Sequence, residues 1–158
     1  MPLYHSSPVM LDVGSVVLPG NYGRIINLLG KDHPLWNRER TLEQVRKQRY
    51  SAKPSRLTST FSCVDIDVAR FYMNVPALQG KAALYSVLYE VEKVDVDAVE
   101  HHADFNVVQP LAGRPETMSE IATKYWEASL WVTIAERPAI RCEELVTPSP
   151  LRIIREMI

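Results

Sequence analysis

The chain has 158 residues, of which 46% are hydrophobic and 23% are charged. Domains commonly have about 100–200 residues, so we predict one domain over residues 1–158 with no separate catalytic domain. The composition excludes a mainly disordered chain. The formal net charge of -1 gives no overall electrostatic attraction to nucleic acid or to an anionic membrane.

The compartment and the state of the cysteines are predicted from the same composition. The first residues have neither the basic start nor the apolar run of a signal peptide, and no stretch approaches the roughly 20 apolar residues of a membrane span. We therefore expect a cytoplasmic protein, either in the producing cell or delivered into another cell. Cys63 and Cys142 belong to no paired metal spacing, and we expect two buried free thiols.

The first half of the chain is predicted to alternate short strands and helices. Thr41 with Gln44 has the pattern of a capping box, and Pro19-Gly20 closes a β-branched run. Residues 21–35 favour no element. The predicted elements are a strand start at residues 3–5, a strand at 15–18, a helix from Asn37 or Thr41 to about Tyr50, a strand at 57–63 and a short helix capped by Asp65 or Asp67.

The second half is predicted to be richer in strands. Residues 81–94 are too apolar and too rich in β-formers for a surface helix, so we predict a central strand there. An acidic loop follows, then a helix at 119–126, a strand at 130–134 and a closing pair of strands at 139–147 and 151–156. Two or three small helices against about six strands, without regular alternation, indicate the α+β class.

Several kinds of chemistry are not supported by the local sequence. Adjacent histidines on an extended segment point to opposite faces, so we interpret His101 and His102 as part of a solvated polar loop rather than as metal ligands. None of the serines near predicted strand ends lies in a Gly-x-Ser-x-Gly elbow. The glycines at 20 and 23 lack the spacing of a phosphate-binding loop.

Three pieces of the chain together resemble the ADP-ribosyltransferase superfamily. Leu-Tyr-His-Ser at residues 3–6 is similar to the end of the superfamily's first strand. Thr-Phe-Ser at 60–62, followed by Ala-Arg-Phe at 69–71, looks like its second strand and the helix that bears an aromatic residue. Glu-Glu-Leu-Val at 143–146, before Pro148, is similar to its terminal strand. The resemblance implies a compact antiparallel split β-sheet core.

The resemblance implies a glycosyltransferase-class enzyme that uses NAD as substrate. The implied reaction is the transfer of ADP-ribose to an unidentified acceptor, or the hydrolysis of NAD. A carboxylate near the sugar stabilises the oxocarbenium-like state, and Glu144 is the candidate for this role. Glu143 is the alternative, because neighbours on a strand face opposite sides and at most one of the two enters a cleft. By the same resemblance, His5 binds a ribose hydroxyl and the backbone at Ser6 pairs with the carboxamide.

The remaining substrate contacts are also implied by the resemblance. Phe71 stacks on the nicotinamide ring, with Phe61 and Tyr72 as alternatives. Arg56 or Arg24 meets the pyrophosphate. Thr60 stands where many relatives place a stacking tyrosine, and it looks like part of the Ser-Thr-Ser strand of the toxin-like branch. The spacing Cys-Glu-Glu at 142–144 differs from the Glu-x-Glu of arginine-modifying members, so arginine is not the predicted acceptor.

Two further features complete the prediction. Pro-Ser-Arg-Leu-Thr-Ser-Thr-Phe at 54–61 and Leu-Tyr-Glu-Val-Glu at 88–92 look like a family of small, mostly bacterial proteins whose activity is unknown. Residues 38–56 carry seven basic side chains against two acidic ones, a local balance of +5. We interpret this as a solvated helix face. The alternative function is a catalytically inactive module that binds nucleic acid or protein through the basic 38–56 segment.

Overall fold

The computed structural model describes residues 1–73, 86–108, 115–128 and 142–157, and these ranges contain seven strands and four α-helices. The strands are β1 (Leu3–Ser7), β2 (Val16–Val17), β3 (Thr60–Cys63), β4 (Val87–Lys93), β5 (His101–Asp104), β6 (Glu143–Thr147) and β7 (Leu151–Met157). The helices are α1 (Asn21–Leu29), α2 (Trp36–Arg49), α3 (Ile66–Met73) and α4 (Met118–Trp126), with 3-10 turns at Gly30–Asp32, Arg56–Thr58 and Phe105–Val108. The predicted α+β class is confirmed.

The strands form one antiparallel sheet in the order β2-β7-β4-β1-β3-β6-β5. Strands β1 and β3 are joined by a single residue pair, Tyr4 with Cys63, whereas five pairs join β1 to β4. The sheet therefore consists of a group β2-β7-β4-β1 and a group β3-β6-β5 with a narrow junction between them. We call this junction the β1–β3 split.

The connection from β6 to β7 shows that the sheet bends strongly. These strands lie four steps apart in the sheet order, a distance of about 19 Å in a flat sheet. The chain from Thr147 to Leu151 spans at most about 14 Å. The two groups must therefore turn toward each other, and Leu145 of β6 packs with Leu3 of β1 and Leu151 of β7 in one apolar cluster.

Helices α2, α3 and α4 cover the face of the sheet opposite to Leu3 and Leu145. Helices α2 and α4 pack on the β5–β6 side, where Leu42, Phe105, Tyr125 and Trp126 belong to the largest buried apolar cluster. Helix α3 packs on β1 and β3, around Cys63 and other apolar residues. None of the helices in the described ranges has the length and apolar character needed to span a bilayer.

Local sequence accounts for where the helices begin. The Asp65 carboxylate accepts from the backbone N–H groups of Asp67 and Val68, as predicted for a cap of α3. Thr117 and Glu120 form a reciprocal capping box at α4.

Helix α1 lies against the Arg56–Thr58 turn at Gly23, where a Cβ atom on the glycine would fall 1.9 Å from the carbonyl oxygen of Leu57. Only glycine permits this approach.

Three predictions are wrong. The capping box at Thr41 is absent because α2 begins at Trp36, and the Thr41 hydroxyl instead donates to the carbonyl of Asn37. The last two strands form no pair: β6 pairs with β3 and β5, and β7 with β2 and β4, because their connection crosses between the two groups. Residues His101–Asp104 form strand β5 rather than a solvated loop, because they pair with β6 and bury His101.

Other predictions differ in extent or cannot be compared. Residues 21–35, which favoured no element, contain α1 and the Gly30–Asp32 turn. The central strand is shorter than predicted, because β4 begins at Val87. The strand predicted at 130–134, and the parts of predicted strands at 81–85 and 139–141, lie outside the described residues.

Candidate functional site

The three strands that carry the sequence motifs are neighbours in the sheet. Strand β1 carries His5, β3 begins at Thr60, and β6 carries Glu144. Their order in the sheet is β1-β3-β6. Motifs separated by more than a hundred residues are thus brought to the two sides of the β1–β3 split. The candidate site lies at this position.

Glu144 is buried at the centre of this arrangement, with 2% of its surface exposed. Its Oε1 accepts hydrogen bonds from the Tyr125 hydroxyl, at 2.6 Å, and from Nη1 of Arg56. Nη1 of Arg56 also donates to the Tyr125 hydroxyl, at 2.6 Å. One carboxylate oxygen is therefore held by two donors, one from α4 and one from the turn before β3.

Arg56 continues this arrangement to helix α2. Its Nε donates to Oε2 of Glu39 at 3.0 Å, and Arg38 donates to Oε1 of the same carboxylate at 2.8 and 3.1 Å. Two guanidinium groups and two carboxylates are thus buried together, and we call Arg38, Glu39, Arg56 and Glu144 the buried ion cluster. Its formal charges sum to zero, which permits burial.

Aromatic residues surround the buried ion cluster. The Arg56 guanidinium carbon lies 4.9 Å from the ring centroid of Phe61 and 5.1 Å from that of Tyr125. The Tyr22 hydroxyl donates to Glu39 at 3.0 Å, and the Tyr22 ring meets the edge of Phe61. These rings exclude water from the ion pairs and so strengthen them.

Within the buried ion cluster the pKa of Arg56 is raised and that of Glu39 is lowered, as expected for ion pairs, and the pKa of the neighbouring Tyr125 is raised. Burial opposes the charge of Arg56, but Glu144 and Glu39 outweigh burial and raise its pKa well above its ordinary value. Burial likewise opposes the charge of Glu39, yet Arg56 and Arg38 hold its pKa below its ordinary value. Burial and the adjacent Glu144 keep Tyr125 protonated, with a pKa well above its ordinary value. Tyr125 is therefore available as a donor.

His5 bridges the β1–β3 split. Its Nδ1–H donates to the backbone carbonyl of Phe61 at 2.8 Å. Burial lowers the pKa of His5, with the bond to Phe61 opposing this shift, so the imidazole is neutral at pH 7. Because the Phe61 ring contacts Arg56, an unbroken series of contacts runs from His5 to Glu144.

His5 and Glu144 nevertheless project from opposite faces of the sheet. Cys63 is paired with both Tyr4 and Glu144, so these three side chains share a face. His5 follows Tyr4 in β1 and therefore faces the other way. Glu143, the neighbour of Glu144, shares the His5 face. It is half-buried, with its carboxylate 3.7 Å from Nδ1 of His102, rather than fully exposed to solvent.

The other predicted substrate contacts lie in varied surroundings. Ser6 is half-buried in β1, and the hydroxyl of buried Thr60 donates to the carbonyls of Thr147 and Ser149. Phe71 lies on α3 with 38% of its surface exposed. The side chain of Tyr72 lies outside the described residues.

The two candidate arginines for the pyrophosphate differ sharply. Arg24 is exposed, and its guanidinium donates to the side chain of Asn21. Arg56 is buried in the ion cluster. Of the two, only Arg24 presents its guanidinium to solvent.

Sequence reasoning did not assign Glu39, Tyr125, Arg38 or Tyr22 to the site. Glu39 and Arg38 were counted only as charges of a basic helix. One signal was available for Glu39. It is an acidic residue between two arginines, and it lies beside the buried positions of a helix, which indicates a basic partner in the core. Tyr125 carried no signal beyond its place in a predicted helix.

The basic segment 38–56 presents less positive charge than its sequence indicates. Arg38 and Arg56 are buried in the ion cluster. Arg46 pairs with Glu43 at 2.8 Å and donates to the carbonyl of Lys53. The exposed cations of the segment are Arg40, Lys47 and Arg49.

The histidine pair also lies in surroundings that the sequence did not predict. His101 is buried, and its Nε2–H donates to the carbonyl of Tyr125 at 3.0 Å, while Lys53 donates to its Nδ1 at 3.3 Å. His102 is half-exposed on the other face, so the predicted alternation of the two rings is confirmed. The described ranges contain no group of three or more side chains suited to hold a metal ion.

Comparison with known proteins identifies the family. Residues 14–138 match the family described as proteins of unknown function, DUF2441. The chain belongs to this family. The matched range includes β3 and the three members of the buried ion cluster on α2 and the following turn, and it ends before Glu144 and begins after His5. A search of curated proteins found no match.

Proposed function

We propose that this DUF2441 protein binds NAD as a substrate and acts as an ADP-ribosyltransferase-like enzyme, transferring ADP-ribose to an acceptor or to water. The observation that carries the proposal is the adjacency of β1, β3 and β6. These strands hold the three motifs that resemble the superfamily, and the sheet places them side by side. The acceptor is a protein, a nucleic acid or water.

Two buried hydroxyls support a polar ligand at β3. Ser59 precedes this strand, and Ser62 lies within it. Both side chains are buried, and neither hydroxyl has a hydrogen-bond partner among the described residues. Unpaired buried hydroxyls are uncommon, because each loses its bonds to water without replacement. A bound substrate rich in ribose hydroxyls and amide groups supplies such partners.

The proposed chemistry breaks the bond between nicotinamide and ribose. The electron pair of this bond leaves with nicotinamide, and the ribose carbon becomes oxocarbenium-like. A carboxylate stabilises this developing positive charge, and we assign the role to Glu144. The acceptor oxygen or nitrogen then bonds to the ribose carbon and releases its proton to solvent water.

We place the ribose at the β1–β3 split, where the His5 imidazole bridges to the carbonyl of Phe61. Because His5 and Glu144 project from opposite faces of the sheet, the proposal requires β1 and β3 to separate there when the substrate binds. Because the imidazole is neutral, it can exchange this bond for one to a ribose hydroxyl without an ionisation step. Arg24, the exposed arginine of the predicted pair, is assigned to the pyrophosphate. Phe71 provides a partly exposed ring for nicotinamide.

Calorimetric titration with NAD tests the binding step without any knowledge of the acceptor. We expect wild-type protein to bind NAD and His5→Ala to bind it more weakly. His102→Ala is the matched control, because this imidazole lies on the edge strand β5 and outside the split, and it retains wild-type affinity. Wild-type protein that binds no NAD contradicts the proposal and favours a binding module.

A further inference from the structure

We propose that Arg56 is the positioning residue of Glu144, and that Tyr125 assists it. This inference rests on the proposed function, because it assigns Glu144 the chemical role. It changes the role that the sequence suggested for Arg56. The guanidinium holds the carboxylate of the enzyme instead of a phosphate of the substrate.

The geometry of the donors supports this assignment. Nη1 of Arg56 and the Tyr125 hydroxyl both bind Oε1 of Glu144, and they also bind each other. The three groups therefore form a closed triangle. The two donors are hydrogen-bonded to each other as well as to the carboxylate oxygen, so the carboxylate has little freedom to rotate. This triangle therefore determines the orientation of the Glu144 carboxylate.

The guanidinium is itself fixed from several directions. Its Nε donates a hydrogen bond to Glu39 on α2, and its guanidinium carbon lies 4.9 Å from the ring centroid of Phe61 and 5.1 Å from that of Tyr125. Arg56 is 3% exposed, and its donors are taken up by Glu39, Tyr125 and Glu144. Burial and saturation with protein partners are typical of a residue that orients another side chain.

Arg38 provides a matched control within the same cluster. It is as buried as Arg56 and binds the same carboxylate of Glu39, at 2.8 Å. The hydrogen bonds of its guanidinium go to Glu39, Tyr22 and the carbonyl of Val108, and none goes to Glu144. A lysine at either position keeps the charge but loses the planar fork. Both changes disturb the core, but only Arg56→Lys alters a direct contact with the carboxylate assigned to the reaction.

The test compares the steady-state kinetics of nicotinamide release from NAD in Arg56→Lys, Arg38→Lys and Tyr125→Phe. We expect kcat to fall about 100-fold in Arg56→Lys and about tenfold in Tyr125→Phe, with KM for NAD changed less than about twofold. Arg38→Lys, which reaches Glu144 only through Glu39 and Arg56, is expected to lower kcat less than Arg56→Lys does. Circular dichroism confirms the folded fraction of each protein, and Tyr125→Phe carries the test if Arg56→Lys does not fold.

The outcomes separate this inference from the proposed function. Wild-type turnover with unchanged kcat in both Arg56→Lys and Tyr125→Phe overturns the positioning role alone. An equal loss of kcat in Arg38→Lys overturns it as well, because the effect is then structural. A rise in KM at constant kcat in Arg56→Lys overturns it in favour of a substrate contact. Wild-type protein without turnover overturns the proposed function and this inference together.

Discussion

Arg56 and Glu144 form an ion pair although 88 residues separate them in the chain, and their side chains are 4% and 2% exposed. The pair joins the turn before β3 to the start of β6. Because both partners are removed from water, neither can lose the other without leaving an uncompensated charge in the core. The pair thus ties the stability of the fold to the carboxylate assigned to the reaction.

Removal of Arg56 is predicted to destabilise the fold strongly. Arg56→Met removes the buried cation that pairs with Glu144 and Glu39, and breaking a buried ion pair costs about 3–5 kcal/mol in the free energy of unfolding. Arg56→Met/Glu144→Gln is expected to cost less than the sum of the two single changes, because the double variant removes one charge of each sign and leaves Arg38 and Glu39 as a neutral pair. Urea unfolding measures all three. Strictly additive effects would show that the two side chains do not interact.

Gly23 is predicted to be irreplaceable in α1. A methyl group there overlaps the backbone of Leu57, so Gly23→Ala must push α1 away from the turn that carries Arg56. We expect a loss of about 1–3 kcal/mol, as for other overpacked sites. Asn27→Ala, on the exposed side of the same helix, is the control and is expected to have little effect. Equal stability of the two variants in urea unfolding would contradict the close packing of α1.

The stability of the protein is predicted to decrease in mild acid because of His101. Burial, and then the charge of Lys53, lower the pKa of this imidazole to about 4, against 6.5 for an unperturbed histidine. The unfolded chain therefore binds the proton more readily than the native chain between these values. The free energy of unfolding falls as the pH drops from about 6.5 to about 4, by up to about 3 kcal/mol, and is unaffected above that range.

His101→Gln isolates this contribution. The glutamine amide can still donate to the carbonyl of Tyr125 but does not titrate. Urea unfolding at about pH 7 and about pH 5 is expected to show a smaller drop in stability than for wild type. Some pH dependence persists, because burial also lowers the pKa of His5. A variant with the full wild-type drop would exclude His101 as the cause.

The two cysteines are predicted to be unreactive in the native protein. Burial raises the pKa of Cys63 to about 12 and that of Cys142 to about 11, and both are free thiols, as the sequence predicted. Since the thiolate is the reactive form, we expect neither to react with a thiol reagent at about pH 8, and both to react in urea. Rapid labelling of either cysteine in the folded protein would contradict this burial.

The sequence predicted elements with local signals better than the contacts between them. Helix α2 and the strand ending at Cys63 follow from local apolar spacing and β-propensity. The pairing of β6 could not be predicted, because its partners β3 and β5 are chosen by the packing of Leu145 and by the bend of the whole sheet. The hairpin predicted between β6 and β7 failed for this reason.

The same difference between local signals and long-range contacts applies to the candidate site. Glu144 and His5 could be selected because the short motifs around them resemble a known family. Arg56 is held in the core by hydrogen bonds to Glu39 and Tyr125, which lie 17 and 69 residues away in the chain. No local sequence pattern predicts such a contact. A buried arginine therefore looks the same in sequence as one that meets a substrate.

The central claim is that NAD is cleaved at Glu144, and the rate of nicotinamide release from labelled NAD tests it most directly. Purified wild-type protein, Glu144→Gln and Glu143→Gln are compared with and without a cell extract that supplies acceptors. We expect release by wild type and by Glu143→Gln, and a loss of about 100-fold or more in Glu144→Gln. Absence of release by wild type, or loss in Glu143→Gln with Glu144→Gln still active, would contradict the claim.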